Sequence, residues 1–102
     1  MNCGLPTESV DKIQNVFAKY SQVTSAILYG SRAKGNYKNG SDIDLTLKGS
    51  ELDSTLLNQI NNDLDDLLLP WSFDLSIYSH IETEALLDHI NRVGVTFYPK
   101  PV

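Results

Sequence analysis

Sixteen residues constrain this chain more than all the others. They run from Gly30 through Ser31, Arg32, Ala33, Lys34 and Gly35, cross a spacer holding Asn36, Asn39 and Gly40, and end on Asp42-Ile43-Asp44-Leu45. The stretch starts where the apolar run Ala26-Ile27-Leu28-Tyr29 stops. That run is too short for a helix and is closed by a glycine, so it reads as a buried strand from Ser25 to Tyr29. From Asp42 to Leu47 the chain alternates. Ile43, Leu45 and Leu47 point one way, while Asp42, Asp44 and Thr46 point the other, the pattern of a strand with one wet face. Any fold must therefore set a buried strand, a sharp turn and a carboxylate-bearing strand close together. Between them, residues 30–40 read as a loop with a short helical turn from Ser31.

The remaining chain supplies the frame. Val10, Ile13, Phe17 and Tyr20 recur at helical spacing after Pro6, with Thr7 as the expected N-cap. Ser50 is the expected cap of a second long helix, with Asp53 in a capping-box position and Leu52, Leu56, Ile60, Leu64 and Leu67 or Leu68 as its apolar stripe, ending before Pro70. Trp71 to Tyr78 alternates again: Phe73, Leu75 and Ile77 against Ser72, Asp74 and Ser76. Ser79-His80-Ile81-Glu82 reads as a capping box opening a last helix with Leu86, Ile90 and Val93 on one side. Gly94 follows, then a short closing strand from Val95 to Tyr98. The expected class is α/β, with helices packed mainly on one face of the sheet and a site on the open face.

The wet face carries the chemistry. Asp42 and Asp44, two residues apart on a strand, emerge on one side with Cα atoms roughly 6.5–7 Å apart. Close carboxylates repel, and a divalent cation relieves the repulsion. Oxygen donors suit Mg²⁺, which takes a few carboxylates, waters and phosphates. If the strand bearing Asp74 lies next to theirs, three carboxylates converge, and two metal ions about 3.5–4 Å apart can clamp an attacking and a leaving oxygen. The Gly30-Ser31 turn aims backbone N–H groups at an anion, and glycine lets the backbone come close. Arg32 and Lys34 are candidates to neutralise phosphate charge, although a short helix can turn either one outward.

Each residue taken singly has a plainer reading. Gly-Ser after a strand is an ordinary turn, and Asp74 a solvated strand residue. His80 reads as a loop or cap residue, and His89 as lying on the solvated side of its helix. Asp63, Asp65 and Asp66 read as the wet face of theirs. Tyr29, Tyr37 and Tyr78 could stack on a base, with core or rim packing the default. The glycine spacing from Gly30 to Gly35 also fits a P-loop, but Asn36 stands where lysine is required, which excludes it.

Composition narrows the classes further. At 102 residues the chain suits one domain, 1–102. A net charge of −5 argues against general nucleic-acid binding and leaves room for a nucleotide held through a metal. No apolar run is long enough to span a membrane, the first residues lack the pattern of a signal peptide, and one cysteine cannot make an intrachain disulfide; together these point to the cytoplasm.

The combination Gly30-Ser31-Arg32-Ala33-Lys34-Gly35, Ser41-Asp42-Ile43-Asp44-Leu45 and Phe73-Asp74-Leu75 resembles the minimal nucleotidyltransferases of the DNA polymerase β-like superfamily. The resemblance runs over nearly the whole chain, and its one mild departure is Lys34, where arginine is common. It implies a palm-like core with a mixed sheet. It also implies Mg²⁺-dependent transfer of a nucleoside monophosphate, AMP from ATP or another NTP, to a hydroxyl. By the same resemblance Asp42 and Asp44 bind both metal ions and Asp74 binds the one nearer the nucleophile. Gly30 and Ser31 hold the β- and γ-phosphates, with Arg32 and Lys34 beside them. Similar stand-alone proteins are usually paired with a small helical HEPN partner, often as antitoxin to toxin, and can adenylylate a tyrosine of it, so the resemblance implies such a partner here. A homodimer or hetero-oligomer is expected, since the open sheet face leaves surface to cover. Two other readings stay open: a non-catalytic nucleotide-binding subunit that neutralises or scaffolds its partner, and a small-molecule nucleotidyltransferase completed by a partner. Acceptor and nucleotide preference are not legible.

Overall fold

The computed structural model describes residues 3–99. Helix α1 spans Thr7–Ala18 and buries Ile13, Val16 and Phe17, which helical spacing places on one side. Strand β1 is Ser25–Tyr29, and the four-residue helix α2, Ser31–Lys34, follows directly after Gly30. Strand β2 is Ile43–Lys48, α3 is Ser54–Asp65 and β3 is Phe73–Ile77. A 3₁₀ turn at Tyr78–His80 leads to α4, Glu84–Val93, and then to β4, Val95–Tyr98. Every element read from the alternation is present, including the closing strand.

The four strands form one mixed sheet in the order β3-β2-β1-β4. β1 is antiparallel to both β2 and β4, while β2 and β3 run parallel. A parallel pair needs a crossover, and α3 provides it. α1 and α3 cover one face. There Phe17, Ile60 and Leu64 pack with Ala26, Leu28, Ile43, Leu45, Leu47 and Phe97, all with at most 0% exposure. Full burial of a Leu, Ile or Phe side chain contributes about 1.5–3 kcal/mol. The alternation of β2 therefore drives its odd-numbered residues into this core and leaves Asp44 on the reverse.

Three expectations are corrected. The cap of α3 is Asp53, not Ser50: its carboxylate accepts from the Leu56 N–H at 2.8 Å. Residues 49–52 make a turn instead, with the Leu52 N–H bonded to the Gly49 carbonyl, which drops Leu52 into the core. The Ser79–Glu82 box does not open α4. Its first half belongs to the 3₁₀ turn, and Thr83 precedes the helix without a side-chain bond. Thr7 is the first residue of α1, with Pro6 at the cap position.

The second sheet face is not fully open. α4 lies across it above β1: a Cβ on Gly94 would meet Ile27 Cγ2, and Ile27 points away from the main core. Gly94 allows the helix to end hard against the strand. The uncovered part of that face lies over β2 and β3, where the aspartates are. Among the described residues, no helix is long and apolar enough to cross a membrane.

Candidate active site

The register assembles the carboxylate patch. Asp44 stands opposite Asp74 on β3 and opposite Tyr29 on β1. Facing residues of paired strands share a side, so these three form one row across the sheet. The next row is Ser76, Thr46 and Ile27. Ser76 Oγ donates to Thr46 Oγ1 at 2.9 Å. This part-buried pair of hydroxyls lies in the row behind the carboxylates. Asp42 precedes β2, and both it and Asp74 are exposed, whereas Asp44 is half-buried.

Gly30 closes the row from above. Its φ of +74° lies in the left-handed region that favours glycine. A Cβ there would also collide with Asp44 Oδ2. The turn and the carboxylate thus touch, although fourteen positions separate them in the sequence. Burial pushes the Asp44 carboxyl above its ordinary range, the charges of Asp74 and then Asp42 add to the shift, and His89 acts in the opposite sense. Tyr29 is also raised, chiefly by burial.

The two basic residues of the turn separate. Lys34 is exposed. Arg32 departs from expectation: it is only 2% exposed and points inward. Its Nη1 donates to the Cys3 carbonyl at 2.9 Å, and its Nη2 and Nε donate to the Ser41 carbonyl at 2.9 and 3.1 Å. Its guanidinium also lies 5.3 Å from the Tyr37 ring centroid and 5.7 Å from that of Trp71. Trp71 Nε1 donates to the Asn39 carbonyl at 3.1 Å. Arg32 is therefore the knot that shapes the spacer and delivers Asp42, and its donors are taken by backbone. Tyr37 and Tyr78 are likewise occupied: Tyr37 packs on Gly4 and Arg32, while Tyr78 donates to Asn91 Oδ1 at 3.0 Å beneath the Lys48 ammonium.

One residue of the site goes unnoticed in the sequence. His89, expected on the solvated side of its helix, faces the turn. Its Nε2 accepts the Gly30 N–H at 3.1 Å, and its ring meets Tyr29 edge-on with centroids 6.2 Å apart. The signal was available: His89 lies three residues after Leu86 and four before Val93, on the border of the apolar stripe.

The patch suits a hard cation by donor type, since it offers carboxylate oxygens whose crowding a positive charge relieves. Among the described residues no group of three or more His, Cys, Asp and Glu forms a ready-made metal cage. Mg²⁺ does not require one: it is commonly held by one or two carboxylates, with water and substrate phosphates completing the shell.

A family model described as Polymerase beta, Nucleotidyltransferase matches residues 11–101. No curated protein matches the sequence. Among solved structures, one similar chain comes from a toxin–antitoxin crystal structure with AMP-PNP: 19% identity, TM-score 0.72, covering 89% of this chain and 73% of that one. Another comes from the toxin–antitoxin MntA-HepT: 16% identity, TM-score 0.68, covering 93% and 74%. A third comes from tri-AMPylated Shewanella oneidensis HEPN toxin in complex with MNT antitoxin: 17% identity, TM-score 0.67, covering 91% and 71%. At these identities the likeness is one of fold.

Proposed function

We propose a reaction from one premise: the chain belongs to the polymerase beta nucleotidyltransferase family. The reaction is Mg²⁺-dependent transfer of AMP from ATP to a hydroxyl of a HEPN-type partner protein, with this chain as the antitoxin. The observation that carries it is the meeting of the Gly30 turn with Asp44, beside Asp74 in register. A phosphate-binding turn and a carboxylate pair are thereby held on one sheet face. The structural relatives support the choice of acceptor, since they come from toxin–antitoxin complexes and one contains an AMPylated HEPN toxin.

In this reading Asp42 and Asp44 hold the metal, with Asp74 on the acceptor side of the same row. Bound Mg²⁺ supplies charge neutralisation at the phosphates and acidifies the attacking hydroxyl. The Gly30 N–H and the Ser31 hydroxyl hold the β- and γ-phosphates, and exposed Lys34 adds long-range attraction. Arg32 acts from within by fixing the Ser41 carbonyl, one residue before Asp42. The acceptor hydroxyl gives its proton to Asp74 or to water as its oxygen bonds the α-phosphorus, and the bond from that phosphorus to the oxygen bridging to the β-phosphate breaks to release pyrophosphate.

The test uses ATP labelled at the α-phosphate, Mg²⁺ and the purified HEPN partner, with the chain as it is or as Asp44→Asn. Label on the partner with the unmodified chain alone is the expected result. A stable complex with no label from either form overturns catalysis in favour of a binding subunit.

A further inference from the structure

We infer that His89 is a nucleotide-phosphate ligand, gripping with the Gly30 N–H a single phosphate oxygen. This rests on the reading above, in which the Gly30–Ser31 turn meets the substrate's phosphates. In the structure the Gly30 N–H already donates to an acceptor, His89 Nε2, at 3.1 Å. The imidazole nitrogen therefore marks the direction from which a phosphate oxygen must approach that amide.

Three observations seat the ring beside the turn. Ile90, 3% exposed, anchors the neighbouring turn of α4. The Tyr29 ring lies edge-on to the imidazole. Gly94 then brings the end of the helix down onto Ile27. The ring itself stays half-buried and so remains reachable. The face it borders carries Asp42, Asp44 and Asp74, while the adjacent cation of the turn, Arg32, is committed to backbone carbonyls. A phosphate arriving there needs donors, and His89 is placed to be one.

Chemistry sets the form of the exchange. Because Nε2 accepts from the amide, the neutral ring carries its proton on Nδ1. A phosphate oxygen has only acceptor lone pairs, so it takes the amide N–H and repels a bare Nε2. Moving the ring proton from Nδ1 to Nε2 through water leaves the ring neutral and converts that nitrogen to a donor. With the imidazole swung away from the amide to admit the oxygen, Gly30 N–H and His89 Nε2–H then hold it from the turn and from the helix.

The test measures binding by calorimetry with Mg²⁺ and two probes. One is AMP-CPP, an ATP analogue that cannot be cleaved between the α- and β-phosphates; the other is AMP, which lacks the β- and γ-phosphates. His89→Leu should weaken AMP-CPP about tenfold, the size of one charge-assisted hydrogen bond, and leave AMP unchanged. His89→Gln, whose head group can accept or donate at similar reach, should recover most of the loss. Equal affinity of wild type and His89→Leu for AMP-CPP overturns the inference, as does an equal loss for both probes. Failure of wild type itself to bind AMP-CPP overturns the reading beneath it. If His89→Leu does not fold, the ¹⁵N signal of His89 Nε2 in the wild-type protein decides. A change from unprotonated to protonated on adding AMP-CPP supports the contact, and no change overturns it.

Discussion

Asp44 sits against a residue without a Cβ and beside two further carboxylates. Its carboxyl is raised by burial first and by Asp74 and Asp42 next, so the folded state holds a proton there more tightly than the unfolded chain. The sign is the reverse of an ordinary ion-paired carboxylate: this group adds stability as pH falls through its folded pKa towards the usual value of 3.8, and at neutral pH its ionised form is a burden. Asp44→Asn removes the charge and nearly keeps the shape. Without divalent cations at pH 7 its thermal midpoint should rise by several degrees while nucleotide transfer disappears, checked by calorimetry and the labelled-ATP assay. A lower midpoint would contradict this. On the proposed function the arrangement trades stability for cation binding, a common exchange where function needs a crowded charge.

Between α2 and β2 the loop depends on one buried cation. Arg32 satisfies the carbonyls of Cys3 and Ser41 and is bracketed by Tyr37 and Trp71. Arg32→Met should lower stability by about 2–3 kcal/mol, since carbonyls lose a charged donor; urea unfolding measures it. At the far side, Tyr20 after α1 donates to Asp63 on α3. That bond, with burial and the Asp63 charge after it, raises the Tyr20 phenol from 10.0 to about 12. The neutral phenol is the folded form, so this contribution is complete below pH 10 and is lost as pH climbs towards 12. Tyr20→Phe should therefore lose stability relative to wild type at pH 8, and the difference should shrink at alkaline pH in paired denaturation curves. Elements were legible because alternation and helical spacing are local. The inward turn of Arg32 was not, because the carbonyls it serves come from residues 3 and 41. Ser50 and Asp53 are both good caps, and only the burial of Leu52 decides between them. His89 was half legible, since it borders an apolar stripe whose target strand the sequence does not name.

Over the whole molecule the charge is −5, and Asp42, Asp44 and Asp74 gather on one sheet face. On the proposed function Mg²⁺ binds the folded state alone, which should raise stability by about 2.7 kcal/mol at a hundred times its Kd. Thermal melts at fixed ionic strength should show an increment with MgCl₂ over NaCl that EDTA reverses. The increment should be missing in a chain with both Asp42→Asn and Asp44→Asn; an equal increment in that double variant would place the ion elsewhere. Topology adds an ordering in time. β1 pairs with β2 on one edge and with β4 on the other, and β4 follows every other element in sequence. As the ribosome extrudes the chain, β1 keeps an unpaired edge until Val95–Tyr98 has cleared the exit tunnel. An exposed strand edge recruits foreign strands. A translational pause before those codons should therefore prolong the capture of nascent chains by chaperones, and pairing of β4 with β1 after it leaves the tunnel should end that capture.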